Sequence, residues 1–136
     1  MKIAAFENRI FSYLIDLIIP TALSVLLYFT VFRYVSIKTM FAIYVIMLTV
    51  ISITYFIINT IITYLTNGYT LGNFIFHIKV VGENNRLSFI SCVLKYAFLA
   101  FPMCAAINAL YMIIAHTEIT IFDRISSTKT YSTRID

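Results

Sequence analysis

Charge is scarce in this 136-residue chain. Lys and Arg number 10 and Asp and Glu 6, so 12% of residues are charged, against roughly 25% in soluble domains. With 61% hydrophobic residues and a mean hydropathy of +0.92, its solvent must be lipid, and its length allows a single domain over 1–136. The two cysteines, Cys92 and Cys104, stand apart in apolar surroundings with no CxxC and no histidine pair, which excludes a zinc site and reads as two free thiols. The apolar stretches hold too few ionisable groups to build a catalytic constellation, and the hydroxyls of SSTKTYST have no paired base, so the chain reads as a non-enzyme without cofactor or metal. Its basic residues, net +4, are scattered between apolar runs rather than gathered into a patch. That argues against nucleic acid and for lipid headgroups.

What is present is long apolar sequence. The first run, Ile10 to Phe32, has 23 residues, enough to cross a bilayer, and carries one charge, Asp16. It reads as a retained helix rather than a signal peptide, because it is too long and lacks a small-residue cleavage site. Met1 to Asn8 reads as an interfacial helical lead-in. Arg9 stands two helical turns before Asp16, roughly 10 Å along the axis, so both can reach a third group set between them. Arg9, Ser12, Asp16, Pro20 and Ser24 form a polar stripe, and Pro20 removes a backbone hydrogen bond one turn beyond Asp16.

A short connection, RYVSIK from Arg33 to Lys38, flanked by Tyr28 and Tyr34, returns the chain antiparallel into a second span from about Met40 to Leu65. Its polar residues Thr49, Ser52, Asn59, Thr63 and Thr66, with Phe56 filling the series, recur three and four apart. The economical expectation is a polar seam in which this stripe faces that of Asp16. All three glycines, Gly68, Gly72 and Gly82, lie in the following connection, where FIFHIKVV reads as β-like or amphipathic and GENN as a turn. GxxxG dimerisation through Gly68 and Gly72 is disfavoured in so polar a loop.

The third apolar stretch, Leu87 to Ala115, is broken by Lys95 and Pro102. It reads either as an interfacial helix followed by one span or as two half-spans folded back at Pro102. Full crossing divides the basic residues equally: Lys2, Arg9, Lys79, Arg86 and Lys95 against Arg33, Lys38, Arg124, Lys129 and Arg134. Re-entry leaves only Arg33 and Lys38 on the far side and returns Asp123 to the face of Arg9, which favours it. His77 reads as a solvated or headgroup-facing side chain, and His116 beside Glu118 lacks the further ligands a metal needs.

Arg9 and Asp16, then GYTLGNFIFHIKVVGENNRLS, then FDRISSTKT, in that order, resemble the RDD family of small bacterial membrane proteins, named for one arginine and two aspartates. Gly68, Thr70, Leu71 and Gly72 match its G-x-T-L-G-K motif, with Asn73 for the lysine. In the following G-L-R-V-V motif His77 replaces the glycine, and Ile78, Lys79, Val80 and Val81 keep the character of the rest. Its closing H-D-x-x-x-G-T has Phe122 for the histidine, Asp123 and Thr128 kept, and Ser127 for the glycine. The resemblance implies an all-α polytopic protein of the cell membrane, multi-pass, with Arg9, Asp16 and Asp123 as its charge cluster and a transport role such as cation/proton exchange.

Taken together, that trio carries one surplus negative charge, which a proton or small cation would balance, with Ser12, Asn59 and Thr63 as neutral oxygen ligands. The same charges could instead lock helices in register. A third expectation is an accessory or immunity-type protein that binds an exporter subunit or a membrane-active peptide. Expected partners are the bilayer, and a second copy or another membrane protein.

Overall fold

The computed structural model describes residues 2–32, 40–82, 86–115, 117 and 119–133. The connection RYVSIK, residues 83–85 of the turn at GENN and the His116/Glu118 pair lie outside them. Helix α1 (Phe6–Asp16) runs into α2 (Ile18–Leu27) across a turn at Leu17, and a π-helical turn, Tyr28–Phe32, ends the segment. Helix α3 (Met40–Leu65) follows, then a one-turn helix α4 (Leu71–Ile75) and strand β1 (Ile78–Gly82). Helices α5 (Phe89–Leu99) and α6 (Pro102–Ile114) lead to a second one-turn helix, α7 (Ile121–Ile125), and strand β2 (Thr128–Ser132).

The spans 6–30 and 40–65 are each long and apolar enough to cross a membrane. Only 22% and 11% of their most apolar windows are buried within the protein, so most of this greasy surface is left for lipid. Helices α5 and α6 meet at 95°. Phe101 is extended, as a residue before proline tends to be, and Pro102, lacking an N–H, opens α6 where none is needed.

The connection after α3 and the polar tail build matching units. In each, a threonine (Thr70, Thr120) caps a five-residue helix by accepting from the N–H three residues on. A residue in the left-handed region (His77, φ 52°; Ser127, φ 50°) then turns the chain into a five-residue strand. Each feature recurs 50 positions later. The strands pair antiparallel with Val80 opposite Thr130 and Ile78 opposite Ser132, so a shift of 50 maps the register onto itself and a local pseudo-two-fold axis passes through the Val80–Thr130 pair. Ile3 bridges to Tyr131, and the Ala4 N–H donates to the Thr130 carbonyl at 2.9 Å. The lead-in to α1 is therefore strand-like before Phe6, not helical: its backbone satisfies the free edge of β2.

The expected seam between the first two spans is divided. Helix α1 packs on α4, α2 on α3, and α3 on α5. Asn59 donates to the Tyr55 carbonyl of its own helix at 3.1 Å, and Thr63 donates to the Tyr96 hydroxyl of α5 at 2.9 Å. Between these elements sits a small core of Tyr55, Cys92, Tyr96 and Ala100, with Tyr13 edge-on to Tyr55 at 5.4 Å. Cys92 is buried and Cys104 half-buried, both as free thiols.

Candidate functional site

The N-terminal half of α1 meets the two repeated units through residues one turn apart. Ser12 donates to the Asn73 side chain at 2.8 Å, and Arg9 Nη1 donates to Asp123 Oδ2 at 2.7 Å. Asn73 and Asp123 occupy the same position, the third residue of each short helix. The pseudo-symmetric pair thus grips α1 with an amide on one side and a carboxylate on the other.

Asp123 is 2% exposed and does not depend on Arg9 alone. Lys95 Nζ of α5 donates to Asp123 Oδ1 at 2.7 Å and to Thr130 Oγ1 at 3.0 Å, while Arg9 Nη2 donates to the Thr130 carbonyl at 3.0 Å. The carboxylate also closes a capping box by accepting from the Thr120 N–H, and Thr128 donates to it at 3.4 Å. Burial alone would raise its pKa, but the Lys95 ammonium and the Arg9 guanidinium outweigh burial and hold it down at about 2. Asp123 is therefore a fixed anion at any physiological pH.

Asp16 lies elsewhere. It is buried, with Oδ2 accepting from the Thr70 hydroxyl at 2.6 Å and Oδ1 from the Gly72 N–H at 2.8 Å. Gly72 can come this close because it lacks a side chain: a Cβ there would stand 2.1 Å from the Ser12 carbonyl oxygen. Gly68, at φ 115°, donates to the Thr63 carbonyl and accepts from the Val80 N–H, holding the loop against β1. Among the described residues no cation pairs with Asp16.

The expected three-residue cluster is thus two sites. Arg9, Lys95 and Asp123 sum to one positive charge, not one negative, and Asp16 is a separate acid held by neutral donors. Asn59 and Thr63 do not ligate it: each binds a partner away from both carboxylates. Of the motif residues, Thr70 and Gly72 hold Asp16 and Thr128 contributes to the Asp123 site. Lys79 lies over the Tyr69 ring at 5.3 Å, Leu71 is exposed, and neither joins a cluster. Among the described residues no group of His, Cys, Asp and Glu could hold a metal ion.

Both sites open on one cavity of about 390 Å³ lined by α1 and α6 and also by Ile78, Val80 and Thr130 of the strands. The RDD family model matches residues 3–127, nearly the whole chain. The chain belongs to the RDD family. No curated protein and no solved structure matches it. This RDD protein is a membrane protein with an all-α body. Lys95 is the member of the ion cluster that the sequence pattern does not bring to Asp123. Its signal was a lone charge inside a 29-residue apolar stretch, a position where a charge needs a partner.

Proposed function

We propose that this RDD protein is a multi-pass, non-catalytic component of the cell membrane that takes part in transport, with Asp16 as the group that takes up a proton or small cation. The observation that carries the reading is a buried carboxylate, Asp16, facing a cavity and without a cationic partner among the described residues. Two neutral donors orient it but leave its charge unbalanced, and a proton or a hard cation is the simplest balance. Asp123, already matched by two cations, takes no part in uptake; it fixes α1, α5 and the tail around the cavity. The free acid is thus one residue rather than a pair.

In this reading the spans 6–30 and 40–65 cross the bilayer, and α5–α6 dips in and returns. Its support is that α5 and α6 meet at 95° and that α7, following α6, brings Asp123 back to Arg9 near the start of α1.

Proteoliposomes containing a pH-sensitive dye and pulsed with sodium test the uptake. The expected result is a sodium-dependent pH change from the wild type and none from Asp16→Asn, with both proteins eluting and melting as folded species in detergent. Folded wild type that moves no protons at any sodium concentration sinks the proposal.

A further inference from the structure

The opposite end of the cavity from Asp16 has an unused positive charge. A guanidinium offers five N–H donors and an ammonium three. Arg9 spends two, on Asp123 and the Thr130 carbonyl, and its Nε is buried with no partner. Lys95 spends two, on Asp123 and the Thr130 hydroxyl. Spare donors therefore coincide with a net charge of +1, in a place where an unmatched charge is costly.

The rest of the cavity wall is mostly apolar and shaped by small side chains. Ala105, Ala106 and Ala109 of α6 face α1, and the two helices scarcely touch. Leu14 and Ala106 line the cavity and are also exposed on the apolar flank, so it opens sideways towards lipid. Its volume of about 390 Å³ lies within the range of small-molecule sites, roughly 300 to 1,000 Å³.

We infer that this cavity is a lateral binding site for an anionic phospholipid, its phosphate on Arg9 and Lys95 and one acyl chain between α1 and the alanine face of α6. The surplus positive charge of the Arg9–Lys95–Asp123 cluster meets one phosphate charge, Asp16 being held apart from that cluster by Thr70 and Gly72, and the sideways opening selects a ligand already dissolved in the bilayer over a soluble anion. The inference stands apart from proton uptake at Asp16, since lipid binding is read without any ion gradient.

The test titrates the full chain, in neutral detergent, with phosphatidylglycerol or phosphatidylcholine of equal chain length. Bound lipid is counted by native mass spectrometry and stabilisation followed by melting. The wild type should prefer phosphatidylglycerol by about fivefold. Lys95→Gln leaves the Arg9–Asp123 pair but removes the surplus charge, and should bring the preference to near parity. Ala109→Phe keeps every charge and fills the gap; it should lose bound lipid of both kinds. Exchange of the exposed Arg124 and Lys129 for Gln should leave the preference intact.

Four results would overturn the inference. They are equal binding of the two lipids by wild type, a preference that survives both cavity variants, a preference lost with Arg124 and Lys129, and equal stabilisation by inorganic phosphate alone. If Lys95→Gln fails to fold, Ala109→Phe and the phosphate arm decide the matter.

Discussion

Asp123 accepts from a buried ammonium and a partly buried guanidinium, and a neutral isostere strands them both. Asp123→Asn should cost about 3 to 5 kcal/mol, the range found when a buried pair loses one partner, and a fall in melting temperature in detergent measures it. Lys95→Gln should cost less, because Arg9 and Asp123 still match. The same carboxylate sets an acid limit. Its folded value of about 2 lies below the ordinary 3.8, so its contribution is complete above about pH 4 and is lost as pH falls through 2. The shift corresponds to about 2 kcal/mol. Melting curves from pH 6 to pH 2 should decline only below pH 4, and the decline should be absent from Asp123→Asn.

The short helices α4 and α7 each feed a strand through a non-glycine residue in the left-handed region. At both places the family pattern has glycine, and the geometry supplies the reason: the backbone needs a positive φ that side chains resist by about 1 to 2 kcal/mol. His77→Gly and Ser127→Gly should each raise stability by up to about 1 kcal/mol, since glycine also loses more chain entropy on folding. Thermal or urea melts of the single and double variants give the measurement, and additive gains are expected for two separate turns. These turns show where sequence and structure part company. FIFHIKVV could be read as β-like because its residues suit a strand, and the family pattern brought Arg9 and Asp123 into one group. The antiparallel register between β1 and β2 had no such signal, for it joins segments 50 residues apart whose identities differ at most positions. Asp16 was legible as a buried acid but its partners were not. One is a hydroxyl and the other a backbone N–H, which nearly every residue possesses.

At the scale of the molecule, the residues at the start of α1, both one-turn helices, both strands and the ion cluster gather at one end, and the far end of α3 lies a span away. Single cysteines at Lys2 and Lys129 should therefore react with an impermeant maleimide from the same side of a sealed vesicle, and one at Met40 from the other. Labelling of Lys2→Cys and Lys129→Cys from opposite sides would mean that the third apolar segment crosses. Lys95 shows why a charge count alone favoured re-entry without finding the cluster. Counting uses each cation once, as a marker of sidedness, whereas Lys95 is consumed by a contact inside the protein. The seam expected between two parallel stripes is divided because the α4 unit takes the first half of the first span: α1 packs on α4, and only α2 packs on α3.

The ion cluster also dictates an order of assembly. Arg9 and Asp123 are separated by 114 positions in sequence, and Thr130, which holds both cations, emerges later still. A ribosome thus delivers the Arg9 side chain to the bilayer well before its counter-ion exists, whereas Lys95 precedes Asp123 by only 28 residues. Until Asp123 arrives, α1 must leave that charge hydrated near the surface. Final seating of α1 therefore has to follow the synthesis of α7 and β2.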